Sequence, residues 1–201
     1  HYTAESEYGP FWSVTKYKDI MTVEVNHKAF SSSSQFGGIT IRDRAKELEL
    51  PMFIAMDPPK HDIQRQAVQP IVAPGNLAKM EGIIRERVCT ILDGLPRGEE
   101  FNWVDRVSIE LTVQMLATLF DFPQEDRRLL SHWSDCATAL PMPGGLIENE
   151  EQREAKFREM AAYFINLWNQ RVNAEPAPDL ISMMAHAPAT RNMPPREFMG
   201  N

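Results

Sequence analysis

Asp57-Pro58-Pro59-Lys60-His61-Asp62-Ile63-Gln64-Arg65 is the most sharply punctuated stretch of the 201-residue chain. Aspartate can cap a helix N-terminus, and proline at the first helical position gives up an N–H that has no partner there anyway. The stretch therefore predicts a helix running to about Gln69. His61 and Arg65 are four residues apart, so they share one helix face about 6 Å apart along the axis. Two cationic donors so placed can grip one anion, and the helix N-terminus just upstream adds about half a positive charge. Arginine supplies a forked donor that matches a carboxylate. The same spacing also fits a capped surface helix whose His and Arg are simply solvated, so the pair by itself leaves both readings open.

On either side of this stretch the pattern is mostly helical. Residues 10–15, with aromatic and β-branched side chains, read as a short strand, and 17–27 as a short helix. Residues 31–56 combine four serines, Gly37-Gly38, a charged run and an apolar close. A segment this long without periodicity is more often functional than structural. Downstream, Leu77, Met80, Ile84, Val88, Ile91 and Leu95 recur every three or four residues and predict a helix over about 76–95. Residues 103–120 carry apolar side chains around most of the circumference, the pattern of a helix buried on several sides. Further helices are predicted over 125–140 and 148–173, separated by a Pro/Gly loop at 141–145. Asp179 should cap a short helix ending near Ala187, and another helix should start at Pro194-Pro195. Six or seven helices against one or two short strands make the expected fold class mainly α.

Composition removes several function classes. With 43% apolar and 24% charged residues the chain can build a core, and a net charge of -7 argues against nucleic acid, whose binding draws on clustered Lys and Arg. The longest stretches without an ionisable residue, such as 66–78, are far below the ~20 apolar residues that span a bilayer, so no transmembrane segment is expected. Cys89 and Cys136 make neither a C-x-x-C pair nor a disulfide framework. Both fall in periodic helices and are expected to be buried small hydrophobes. No signal peptide is visible behind His1, which with the sparse cysteines fits a reducing cytoplasm. Both ends look abrupt, as in a fragment.

Catalytic constellations are scarce. The sequence has no G-x-S-x-G elbow, H-E-x-x-H, P-loop or dinucleotide fingerprint, and of the histidines only His61 has a distinctive setting. Met52, Met56, Met142, Met183 and Met184 fall near loops and could line an adaptable apolar pocket, though methionine is more often core filler.

Together these pieces resemble the N-terminal half of a soluble bacterial cytochrome P450. Phe11-Trp12 through Ile20, followed by Phe30-Ser31-Ser32, looks like that family's first strand, B helix and entry to the B–C loop. Asp57-Pro58-Pro59-Lys60-His61 through Arg65 matches its D-P-P-x-H-x-x-x-R stretch opening helix C, and helices D to G follow in order. Residues 53–61 and 112–123 look most like the soluble alkane hydroxylases of this superfamily.

The resemblance implies a partial cytochrome P450 domain over 1–201, helices B to H with a short β-strand. His61 and Arg65 would bind a propionate of haem b. Met52, Phe53, Ile54, Leu140 and Met142 would contact an apolar substrate, within the segment 31–56 and the loop 139–147. The I helix, the E-x-x-R pair and the axial cysteine are expected after Asn201, so no metal ligand and no catalytic residue is assigned in this chain, which alone should be inactive. The complete protein would hydroxylate medium-chain n-alkanes at the terminal carbon with O2, taking electrons from NADH through ferredoxin reductase and ferredoxin. The alternative is a cofactor-free helical binding or regulatory module that keeps only the helix pattern.

Overall fold

The computed structural model describes residues 1–41 and 50–201 and divides into two compact units, one of residues 1–66 and 193–201 and one of residues 67–192. In the first, β1 (Tyr2–Thr3) pairs antiparallel with β2 (Phe11–Trp12), Tyr2 opposite Trp12 and Thr3 opposite Phe11. The Tyr2 and Trp12 rings lie 5.0 Å apart. The strand expected over 10–15 is thus two residues long, because its partner offers only two to pair with; that partner had no signal of its own. The connection turns at Gly9, whose φ of 76° lies in the left-handed region open to glycine. Helix α1 (Tyr17–Glu24) stops three residues short of the expected 27, where the Asn26 carbonyl takes the Ala29 and Phe30 N–H groups into a turn.

A single turn at Phe53–Ala55 precedes α2 (Lys60–Val68), which begins three residues after Asp57. Asp57 is not the side-chain cap the sequence suggested. Its carboxylate accepts the Ser31 hydroxyl at 2.5 Å and the Ser32 N–H at 3.1 Å, while the backbone carbonyls of Asp57 and Pro59 take the first helical N–H groups. The D-P-P punctuation therefore fastens the ends of the 31–57 segment together as well as opening the helix. Residues 42–49 of that segment lie outside the described residues.

The second unit contains α3 (Pro74–Asp93), α4 (Glu110–Phe120), α5 (Arg128–Thr138), α6 (Glu150–Arg171) and α7 (Leu180–His186). Its core gathers Ala117, Phe122, Leu130, Trp133, Leu167 and Ile181, with Met160, Tyr163, Phe164 and Trp168 packed against it. The Phe122 and Tyr163 rings stack at 4.6 Å, and Trp133 meets Tyr163 edge-on at 5.6 Å. The expected continuous helix over 103–120 opens instead with a π-helical turn at Val104–Ile109, and Trp103 and Val104 are exposed. Full burial begins only with Val113 and Ala117. Glu110, at the junction, pairs with Arg127 at 2.8 Å and Arg128 at 2.7 Å. Burial alone would raise its pKa, but hydrogen bonds from Gln114, Arg127 and Arg128 outweigh that and hold the carboxyl below its ordinary range. Asp179 caps α7 as expected, accepting the Ser182 N–H at 2.8 Å.

Cys136 is buried, as its periodic setting implies, but Cys89 is exposed. It follows Val88 by one residue, so it points about 100° away from the inward stripe of α3. In the first unit the last helix, α8 (Pro195–Gly200), starts where the sequence placed it. No helix among the described residues is long and apolar enough to cross a membrane.

Candidate functional site

His61 and Arg65 stand on one face of α2, four residues apart. The His61 Nδ1 lies 2.7 Å from Asp62 Oδ1, which engages that nitrogen and leaves Nε2 for another partner. The His61 side chain is 25% exposed, and the Phe53 ring packs 6.0 Å from the imidazole. The Arg65 side chain is exposed and makes no hydrogen bond or ion pair among the described residues. The two donors thus share a face, one backed by an aromatic ring and a carboxylate, the other with its guanidinium free.

The segment that presents Phe53 is pinned from α8. The Phe53 N–H donates to Asn201 Oδ1 at 2.6 Å, and Gly200 runs so close to Pro51 that a Cβ there would overlap the Pro51 carbonyl. The neighbouring face of α2 is held by Glu197, whose Oε1 accepts from Lys60 Nζ at 2.8 Å and from the Gln64 amide. Burial raises the Glu197 pKa, but these hydrogen bonds and the Lys60 charge outweigh it and hold the carboxyl below its ordinary range.

Of the apolar candidates, Met52 and Phe53 are half-buried and Ile54 is exposed, all in the same unit as His61 and Arg65. Leu140 and Met142 belong to the other unit and are 62% and 58% exposed. Their loop is built rather than slack. The Met142 N–H donates to Ile147 O at 2.9 Å, Ile147 is fully buried, and Arg153 on α6 donates to the Ala139 carbonyl. Of the other methionines near loops, Met184 is buried in α7 and serves as core. No group of three or more His, Cys, Asp or Glu side chains among the described residues could hold a metal ion.

Sequence reasoning missed Glu197, Gln64 and Asn201. Gln64 and Glu197 are 133 residues apart and carry no joint periodic signal. The one trace available was that Lys60 and Gln64 repeat the i,i+4 spacing of His61 and Arg65 on the adjacent face of the helix.

No protein-family profile matches the chain. Among curated proteins it is 28% identical to linalool 8-monooxygenase of Pseudomonas putida over 210 residues, covering all of this chain and 51% of that protein. It is also 28% identical to steroid C26-monooxygenase of Mycobacterium tuberculosis over 185 residues, covering 89% of this chain and 41% of that one. Among solved structures it matches cytochrome P450-153 from Novosphingobium aromaticivorans, with 46% identity and a TM-score of 0.87, and CYP153D17 from Sphingomonas sp. PAMC 26605, with 44% identity and a TM-score of 0.85. Each of these two matches covers 100% of this chain and 50% of the other. The chain spans about half the length of the curated relatives it matches. With the helical fold and the D-P-P-x-H-x-x-x-R helix in place along a chain aligned from end to end, the protein belongs to the cytochrome P450 family.

Proposed function

We propose that this chain is part of one haem-binding domain, and that the full-length protein is a haem-thiolate monooxygenase that hydroxylates apolar chains, medium-chain n-alkanes at the terminal carbon being the favoured substrates. The observation that carries this reading is the 44–46% identity to two CYP153 structures along the whole chain. The alkane-hydroxylase resemblance of residues 53–61 and 112–123 supports it.

The donor chemistry on α2 fits a haem carboxylate. Arg65 offers a fork of N–H donors with no competing partner among the described residues, and His61 keeps Nε2 for a second bond. Asp62, 2.7 Å from Nδ1, orients the His61 ring and leaves Nε2 to meet the propionate, while Arg65 would neutralise the ligand charge. Haem, when bound with a thiolate ligand, supplies the activation of O2 for insertion of one oxygen atom into a C–H bond. Electrons would come from NADH by way of ferredoxin reductase and ferredoxin. We assign substrate contact to Met52, Phe53 and Ile54, and separately to Leu140 and Met142, which offer burial without a fixed charge. Neither Cys89 nor Cys136 stands in a glycine-rich loop, so the axial thiolate is assigned outside this chain, which alone is expected to be inactive.

The test is a titration of the full-length, haem-loaded protein with n-alkanes of increasing length, followed by the haem spin-state change. Each buried methylene is worth about 0.8 kcal/mol, so affinity should rise about fourfold per carbon until the pocket is filled. A flat response to chain length, or a preference for compact polar ligands, rules out the alkane assignment.

A further inference from the structure

Helix α2 carries two parallel donor pairs. His61 and Arg65 form one; Lys60 and Gln64, also four residues apart, form the other on a face rotated by about 100°. The second pair is already closed on a carboxylate, since Glu197 Oε1 accepts from Lys60 Nζ at 2.8 Å and from Gln64 Nε2. Gln64 is only 4% exposed, and its Oε1 is buried without a hydrogen-bond donor among the described residues. Turning the amide over would set that oxygen against the Glu197 carboxylate, so charge fixes the orientation seen. A side chain present only to fill this space would be apolar and would leave no orphaned acceptor. Glu197 sits on α8, next to the Asn201 that holds the Phe53 backbone, so one short element fastens both the aromatic neighbour of His61 and the helix that carries it.

We propose that Glu197 is a positioning residue that sets the roll of α2 about its axis and so aims His61 and Arg65 at the haem carboxylate; the inference rests on the propionate reading given above. The geometry makes roll the sensitive variable. Side chains project to a radius of about 5–6 Å, so a roll of about 20° displaces a donor by about 2 Å, outside hydrogen-bond reach. The Glu197 bridge grips α2 at two points one turn apart on the face adjoining the ligand pair, which opposes that rotation.

The test uses the full-length, haem-loaded protein with Glu197→Gln, Gln64→Glu and the two combined. Haem transfer to apomyoglobin is timed, and the propionate bending band is followed by resonance Raman. Glu197→Gln removes the charge that holds Lys60, and Gln64→Glu sets two carboxylates against each other; each should speed haem loss about three- to tenfold and shift the band, as expected for a weakened charge-assisted hydrogen bond. The double variant restores an amide–carboxylate pair with its ends exchanged and should return both readouts to within about twofold of the parent. Unchanged haem loss in both single variants, or a double variant no better than the worse single one, overturns the proposal. His61→Ala and Arg65→Ala are run alongside. If neither speeds haem loss, the propionate reading fails and the Glu197 role falls with it; if both do while the Glu197 and Gln64 variants do not, only the positioning role falls.

Discussion

Replacing Tyr163 by Phe isolates a single hydroxyl at the centre of the second unit. The Tyr163 O–H donates to Asp126 Oδ2 at 2.6 Å, and its ring stacks on Phe122 at 4.6 Å, a contact the substitution leaves intact. A hydrogen bond to a charged group contributes about 1.5–3 kcal/mol. Titration gives its pH dependence. Burial, then the hydrogen bond and negative charge of Asp126, push the Tyr163 pKa from 10.0 up to about 12. Since burial is the first cause, the shift sets how the gap between parent and variant changes with pH and not the strength of the bond itself. Because the folded pKa lies above the unfolded one, this stability is complete below pH 10 and is lost as pH rises through 12. The gap between parent and Tyr163→Phe, measured by urea unfolding, should be about 2 kcal/mol at pH 8 and smaller by about 1.4 kcal/mol at pH 11. Taking the difference cancels the other groups that ionise in alkali. A gap under about 0.5 kcal/mol at pH 8, or one that stays constant to pH 11, would refute the assignment of the hydroxyl to a buried, charge-coupled bond.

Asp57→Ala removes the acceptor for Ser31 and Ser32 and should destabilise the first unit by about 2 kcal/mol, with the Ser32 amide exchanging faster in deuterium. An unchanged Ser32 exchange rate would show that the carboxylate does not hold this amide. In the native chain one thiol, Cys89, should react promptly with Ellman's reagent. Cys136, buried and with burial pushing its thiol pKa up, should react only on unfolding, and two fast thiols would contradict that placement.

What the sequence made legible was whatever depends on neighbours within about one helical turn. The D-P-P break, the stripe from Leu77 to Leu95 and the Asp179 cap each act locally, and the structure has them near their expected places. The errors share the opposite character. Asp57 reads as a cap because capping is local, but serines 25 and 26 residues upstream claim its oxygens. Cys89 lies in a periodic helix, yet one residue of offset from Val88 turns it outward. At the candidate site the His61–Arg65 pair was visible because its spacing is four residues. Glu197, which grips the same helix from 133 residues beyond Gln64, was not, because a contact between remote segments leaves no period in the chain. The π-helical turn at Val104–Ile109 is a third case, since its residues have ordinary helical preferences and differ only in backbone register.

The bond between Ser31 and Asp57 also bears on how freely the chain between them can vary. A hydroxyl–carboxylate hydrogen bond of 2.5 Å joins the side chains at its two boundary positions and closes it there. For a loop with fixed ends, doubling the length adds only about 0.6 kcal/mol of closure entropy. Changes of length between the two residues therefore cost little in closure as long as the serine and the aspartate stay, whereas Phe53, held by Asn201 and packed beside His61, is not free to vary in the same way.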